Sequence, residues 1–261
     1  MSTLYNGAMK IEMLADYIRT RLDLDAFADM DVSLNGLQVG RPDKEVKRVV
    51  CAVDASLATF AKAAEMGADA LFVHHGLFWG KPIAVTGMHY ARLALLLRAD
   101  IALLAAHLPL DAHPVLGNNA TMARLLDLEA VTPFGLYHGR HIGFRGTFKS
   151  PVTVGDIVRT LGLSEETGLH VLPFGKKHIR SVGIISGGAA FEVQEAISLG
   201  LDAYITGESS HTMHPFCQES GITMICGGHY ATEVFGVQSM AKDLADNLGL
   251  ESSFVALPTA L

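Results

Sequence analysis

Short, continuous apolar runs separated by helix-like segments constrain the fold of this chain more than any other feature. The runs at 49–53, 70–73 and 101–106 lack the alternation of a half-exposed strand, as is typical of strands buried on both faces. Segments with helical spacing at 56–66 and 88–98 separate them. This order predicts βαβ units, in which helices cover a mostly parallel sheet.

The same rhythm returns in the second half of the chain. Strand-like runs at 182–185, 203–206 and 223–226 follow a less regular stretch at 137–178, which we interpret as a connecting or edge region. When 49–53 is laid over 182–186, Gly67-Ala68-Asp69-Ala70 falls on Gly200-Leu201-Asp202-Ala203 without a gap. This match is explained either by a duplication or by chance, since both segments join a helix to a strand. Polar residues that follow equivalent strands in both halves favour a duplication.

These patterns predict an α/β protein with two similar lobes that face one cleft. Each lobe is expected to be a three-layer arrangement around a mixed, mostly parallel sheet. The predicted lobes are residues 1–130 and 131–261, which form one structural unit without a linker. The first lobe carries His74, His75 and Asp111, and the second carries His229 and Glu233.

The composition favours imidazole and carboxylate ligands over thiolates. The 261 residues include 12 histidines but only three cysteines, Cys51, Cys217 and Cys226, which have no CxxC spacing. This usage predicts a reducing, cytoplasmic location. The longest apolar stretch is interrupted by charged residues and falls short of the ~20 residues of a membrane span. A net charge of −7 argues against nucleic acid as a partner of the chain as a whole, although it leaves room for a local basic patch.

Polar residues follow the predicted strands, at the edge where open α/β sheets bind ligands. Adjacent residues that leave a strand point in opposite directions, so a tandem histidine can serve two ions or bracket one. His229 and Glu233 share a helix face if a helix begins near residue 230, but a surface pair has the same spacing. A helix N-cap is the alternative role for Asp111, and His107 is either a ligand or a supporting residue. The four sets are His74-His75, His107 with Asp111, Glu208 with His211 and His214, and His229 with Glu233.

Six motifs stand in order over nearly the whole chain. They are Asn35-Gly36-Leu37-Gln38-Val39-Gly40, His74-His75-Gly76-Leu77-Phe78-Trp79, His107-Leu108-Pro109-Leu110-Asp111-Ala112-His113, Gly117-Asn118-Asn119, Thr206-Gly207-Glu208 and Gly228-His229-Tyr230-Ala231-Thr232-Glu233. Together they resemble the Nif-three-like dinuclear metal-centre family, whose members are also called type 2 GTP cyclohydrolase I homologues. The chain is similar to the short bacterial-type form, which lacks an inserted domain between the halves.

The resemblance implies two divalent metal ions per chain and a ring-shaped homohexamer whose metal sites face an internal cavity. The identity of the ions stays open among Zn, Mn, Fe, Ni and Mg, because imidazole and carboxylate suit several of them. The ligands that the resemblance implies are His74, His75, Asp111, His229 and Glu233.

The leading hypothesis for function is a metal-dependent hydrolase that acts on GTP, a related nucleotide or another small molecule through a metal-bound hydroxide. A cyclohydrolase reaction also needs proton transfer, for which Glu208, His214 and His107 are the candidates. Two alternatives stay open. One is a metal-binding, metal-handling or regulatory protein without enzymatic activity, and the other is a two-metal phosphoesterase.

Overall fold

A computed structural model describes residues 8–261 and divides them into two compact units. Unit 1 comprises residues 8–110 and Gly236–Leu257, and unit 2 comprises Asp111–Phe235 and Pro258–Leu261. Among the described residues, no helix combines the length and the apolar character that a membrane span requires.

Unit 1 is built on a five-stranded sheet. Its strands are β1 (Gly36–Val39), β2 (Arg48–Asp54), β3 (Ala70–His75), β4 (Ala102–Ala105) and β11 (Glu251–Phe254). They lie in the order β1-β4-β3-β2-β11, with β1 antiparallel to β4 and the other neighbours parallel. The helices that belong to unit 1 alone are α1 (Ile11–Arg21), α2 (Leu57–Glu65), α3 (Gly87–Ala99) and a 3-10 turn at Leu24–Phe27.

Unit 2 is built on a six-stranded sheet. Its strands are β5 (Glu129–Tyr137), β6 (Arg140–Val152), β7 (His170–Pro173), β8 (Ile179–Ile184), β9 (Ala203–Thr206) and β10 (Thr223–Cys226). They lie in the order β5-β6-β8-β9-β10-β7, where β8, β9 and β10 are parallel and the other three pairings are antiparallel. The helices that belong to unit 2 alone are α5 (Asn118–Leu125), α6 (Val154–Thr160), α7 (Val193–Ser198), α8 (Met213–Ser220) and a 3-10 turn at Glu165–Thr167.

The two units share a βαβαβ core, which supports the predicted duplication. In each, three parallel strands are joined by two helices, and an antiparallel strand pairs with the third of them. The match extends to single hydrogen bonds. The Asp69 carboxylate accepts from the backbone N–H groups of Lys47 and Arg48 at 2.9 and 3.0 Å, and Asp202 accepts from those of Arg180 and Ser181 at 2.9 and 3.1 Å. These are the positions that the gapless overlay aligns, so the Gly-x-Asp-Ala match reflects a shared structural role.

The predicted α/β class with two similar lobes is confirmed, and the structure changes two details. The chain passes from one unit to the other inside α4 (Leu108–Ala112), inside α9 (His229–Leu248) and again after Leu257, not at residue 130. Asp111 therefore falls in unit 2. The stretch 137–178, predicted to be a connecting or edge region, contains β6, which lies inside its sheet between β5 and β8. Its burial is irregular along the strand, so β6 lacks the continuous apolar run that marks the strands buried on both faces.

Candidate metal centre

Three histidines of unit 1 lie together at the carboxyl ends of two neighbouring strands. His74 and His75 end β3, and His107 comes two residues after β4. Because β3 and β4 are parallel, their carboxyl ends meet at one edge of the sheet. One ring nitrogen from each of the three lies within 4.8 Å of the others, so this part of the predicted site is assembled within unit 1.

Hydrogen bonds to oxygen set the orientation of the tandem histidines. The Nδ1 atom of the buried His74 lies 3.0 Å from the carbonyl oxygen of Ala106, and that of His75 lies 2.8 Å from Asp54 Oδ1. These oxygens only accept, so Nδ1 carries the proton in each ring and Nε2 carries the lone pair of the neutral form. This is the usual arrangement of metal-binding histidines, whose second nitrogen donates to a carbonyl or carboxylate.

His107 is held at both its ring and its backbone. Its Nδ1 lies 3.0 Å from Asp31 Oδ1, and its backbone N–H donates to Asn35 Oδ1 at 2.8 Å. Burial raises the pKa of Asp31, but hydrogen bonds from His107, Asn35 and the backbone of Ser33 outweigh it and keep the pKa below its usual value. Asp31 is therefore an ionised acceptor for the imidazole.

In unit 2, His229 and Glu233 stand one turn apart at the start of α9. The helix begins at His229, and His229 Nε2 lies 3.2 Å from Glu233 Oε1. His229 Nδ1 lies 2.5 Å from Glu208 Oε1, so the ring bridges two carboxylates. Burial lowers the pKa of His229, but the hydrogen bonds and charges of Glu233 and Glu208 outweigh it and raise the pKa to about 9. The surroundings of this ring therefore favour a positive charge.

A glycine makes room for the Glu233 carboxylate. Gly187 has φ +66°, and a Cβ built on it would collide with Glu233 Oε1 and lie 3.2 Å from His229 Nε2. Its N–H donates to Thr232 Oγ1 at 3.0 Å. Position 187 therefore favours glycine for two reasons: its φ is positive, and the Glu233 carboxylate fills the space that a Cβ would occupy.

Asp111 is buried in unit 2 with its carboxylate held by side chains. Asp111 Oδ1 accepts from Asn118 Nδ2 at 2.9 Å and from Ser186 Oγ at 2.8 Å. One of its oxygens lies within 4.8 Å of a Glu233 oxygen. The helix that follows is capped by Gly117, so the alternative of an Asp111 N-cap is wrong.

The donor set fits a divalent cation. Asp111 and Glu233 are only 5% and 3% exposed, and two carboxylates this close favour a positive charge beside them, which a bound cation would supply in place of the proton on His229. Neutral imidazoles and carboxylates are also the ligands of catalytic Zn, Fe, Mn and related ions. The chemistry of these residues thus matches the group that the sequence predicts.

His214 differs from the other candidates for proton transfer. It lies in α8, with its ring edge-on to Phe174 at a centroid distance of 4.9 Å, and lines a cavity of about 520 Å³ with His170 and His211. Among the described residues, His214 belongs to no cluster of potential metal ligands. Glu208, by contrast, contacts His229, and His107 lies with His74 and His75.

Sequence reasoning did not identify the carboxylates that hold the histidines of unit 1. The sequence could have pointed to Asp54, since this residue ends an apolar run that predicts a buried strand. In the structure that strand lies beside β3, and Asp54 pairs in register with His75. Nothing in the sequence points to Asp31, because it lies 76 residues from His107 in no recognisable spacing.

Comparison with known proteins identifies the family. The chain is 44% identical over 252 residues to a Deinococcus radiodurans protein named GTP cyclohydrolase 1 type 2 homolog, covering 96% of this chain and 93% of the relative. A solved structure from Thermus thermophilus is 38% identical, with TM-score 0.84 and coverage of 97% and 100%. The protein ybgI, solved by structural genomics with unknown function, is 34% identical, with TM-score 0.88 and the same coverage. A family model, Duf34/NIF3 (NGG1p interacting factor 3), matches residues 9–259. The chain therefore belongs to the Duf34/NIF3 family.

Proposed function

We propose that this protein is a metal-dependent hydrolase that binds two divalent cations. The observation that carries the proposal is the charge arrangement in unit 2, where the buried carboxylates of Asp111 and Glu233 lie within 4.8 Å of each other beside His229. The tandem histidines of unit 1 add two rings whose Nδ1 atoms are already engaged. The family resemblance assigns five ligands to the two ions, namely His74, His75, Asp111, His229 and Glu233.

When bound, the cations would polarise a substrate oxygen and lower the pKa of a water molecule. The residues of the chain would then orient ligands and move protons. Glu208 holds the His229 ring through Nδ1, and its side chain is 50% exposed, so it can also exchange protons with a substrate or solvent. His107, oriented by Asp31, offers Nε2 for the same purpose.

The proposed substrate is GTP, a related nucleotide or another small molecule with a hydrolysable ring or ester. The name shared by the relatives, GTP cyclohydrolase 1 type 2 homolog, supports GTP. Release of purine C8 as formate requires hydrolysis of both C8–N bonds, and each departing nitrogen needs a proton. Glu208 and His107 are the two groups that we propose for this transfer, while His214 lies in a different setting in α8.

A variant in the centre and a control in the same helix test the proposal. The protein is loaded separately with Mn²⁺, Zn²⁺, Fe²⁺ and Mg²⁺, and formate released from GTP is measured for wild type, E233Q and D246N. Asp246 lies in α9, far along the helix from Glu233, and pairs with Lys242 on an exposed surface. Wild type and D246N should release formate, and E233Q should lose at least 10²-fold of the rate.

The other outcomes separate the alternatives. Hydrolysis of phosphoesters but not of GTP would replace the cyclohydrolase by a two-metal phosphoesterase. Stoichiometric metal binding that E233Q abolishes, with no hydrolysis of any nucleotide or phosphoester, would indicate a metal-handling protein. Absence of metal from protein purified without added ions, together with no binding of any of the four, would refute the centre itself.

We also propose that the chain assembles with itself into a homohexameric ring, as the family resemblance implies. Exposed apolar side chains on α3 support self-association, since Met88, Tyr90 and Leu97 are 63%, 57% and 66% exposed. Light scattering should give a mass near six times 27.9 kDa. A monomeric mass at micromolar concentration would contradict the ring.

A further inference from the structure

A buried carboxylate outside the five proposed ligands collects four hydrogen bonds in unit 1. Asp31 Oδ1 accepts from the backbone N–H of Ser33 at 2.9 Å and lies 3.0 Å from His107 Nδ1. Its Oδ2 accepts from Asn35 Nδ2 at 2.9 Å and from the backbone N–H of Leu108 at 3.0 Å. Both oxygens therefore face only donors.

This environment leaves His107 one tautomer. A carboxylate surrounded by donors accepts and does not donate, so the ring must present Nδ1–H to Asp31. Asn35 fixes the backbone of the same residue by accepting its N–H at 2.8 Å. The Trp79 ring packs edge-on to the imidazole at a centroid distance of 4.9 Å and restricts its rotation. Orientation and protonation site of His107 are thus set together.

Among the described residues, Asp31 differs from the other carboxylates that contact a histidine Nδ1, which are Asp54 and Glu208. Its side chain is 1% exposed, whereas those of Asp54 and Glu208 are 41% and 50% exposed. A hydrogen bond shielded from water is electrostatically stronger and less easily exchanged for a solvent molecule. Burial of a charge that serves only to cap a five-residue helix such as α4 would be costly, which argues for a further role.

We propose that Asp31 is a positioning residue that locks His107 in the Nδ1–H tautomer, so that Nε2 is the nitrogen presented to a cation or substrate at His74 and His75. Nε2 of the neutral ring then holds the lone pair, which can bind a metal ion or accept a proton. The part of this inference that concerns a cation rests on the proposed function, whereas the tautomer does not.

The tautomer can be measured directly in the metal-free protein. Long-range ¹H–¹⁵N spectra of ¹⁵N-histidine-labelled protein at pH 8 distinguish a protonated nitrogen from one with a lone pair, and H107Q assigns the signal. Wild type should show Nδ1–H at His107. In D31N an amide NH₂ replaces one acceptor among four donors, so the ring should gain the Nε2–H form. D202N removes another buried carboxylate, which is bound by Lys176 and two backbone N–H groups and not by an imidazole, and should leave the signal unchanged.

Zn²⁺ titration by calorimetry provides a second readout. Where His107 Nε2 faces the cation, D31N should weaken binding by about 10–100-fold, the usual cost of losing a partner of a metal-binding histidine; an altered tautomer with unchanged affinity would assign Nε2 to the substrate instead. D202N should weaken binding less than about threefold. An Nε2–H tautomer in wild type, or a folded D31N with unchanged tautomer and affinity, would overturn the proposal. If wild type binds no Zn²⁺, the proposed function fails and the tautomer alone decides the role of Asp31.

A second variant covers the case in which D31N does not fold. N35A removes the clamp on the His107 backbone but keeps the carboxylate and its bond to the ring. Since the carboxylate is the proposed determinant, N35A should retain the Nδ1–H tautomer. Loss of that tautomer in N35A would assign the control of His107 to Asn35 and overturn the proposal.

Discussion

Substitution of Gly187 by alanine should separate backbone strain from damage to the metal centre. Gly187 has φ +66°, and its added Cβ would collide with Glu233 Oε1 and lie 3.2 Å from His229 Nε2. Gly200 is a matched control, because it has φ +67° and a Cβ there would meet nothing within 4 Å. Both variants carry the same left-handed strain, and only G187A forces the Glu233 carboxylate to move.

The magnitudes follow from this difference. Left-handed backbone costs an alanine about 1–2 kcal/mol, so both variants should lower the free energy of unfolding of the metal-free protein by that amount. G187A should lose about 1–3 kcal/mol more, the cost of overpacking a filled position. Displacement of Glu233 should also weaken Zn²⁺ binding at least tenfold, which corresponds to about 1.4 kcal/mol.

Urea unfolding in the presence of a chelator and Zn²⁺ calorimetry measure the two effects separately. G200A should show the first loss alone, with an affinity for Zn²⁺ equal to that of wild type. If G187A unfolds like G200A and binds Zn²⁺ like wild type, the position of Glu233 does not depend on the glycine, and the proposed part of Glu233 in the metal centre loses its geometric support.

Three further predictions concern the rest of the molecule. Burial raises the pKa of Asp202, but three hydrogen-bond donors outweigh it and lower the pKa. The contribution of Asp202 to stability is therefore present above about pH 4 and is lost as the pH falls through the folded-state pKa. As the pH is lowered from 6 to 3, the melting temperature should fall less steeply for D202N than for wild type, and parallel curves would contradict this. Burial, followed by the hydrogen bond to Asp243, raises the pKa of Tyr17 to about 12. In an ultraviolet titration Y17F should therefore lack a tyrosinate signal that wild type develops near pH 12, and the stabilising effect of Tyr17 should be lost as the pH rises through that value; a signal lost near pH 10 instead would contradict the raised pKa. Burial also raises the pKa of Cys51 and of Cys226 to about 12, so neither thiol should react with a thiol reagent at pH 8 until urea unfolds the protein, and rapid labelling of native protein would refute their burial.

The strands that the sequence predicted are those whose burial is nearly complete. All four residues of β4, β9 and β10 are buried, and an uninterrupted apolar run is a local signal that needs no knowledge of the partner strands. By contrast, β11 has the sequence Glu-Ser-Ser-Phe and exists because its backbone pairs with β2 across some 200 residues of chain. Pairing of that kind leaves no pattern in the strand itself.

The features of the candidate site also divide into those that a local sequence pattern predicts and those that depend on contacts between distant residues. Sequence alone determined the βαβ rhythm, its repetition, the tandem His74-His75 and the one-turn spacing of His229 and Glu233, because each depends on neighbours in the chain. The tertiary structure alone decided that Asp31 orients His107 and that Gly187 leaves space for Glu233, since these contacts join residues 76 and 46 positions apart. Contacts across such separations are specified by the packing of whole elements, which no local pattern of residues records.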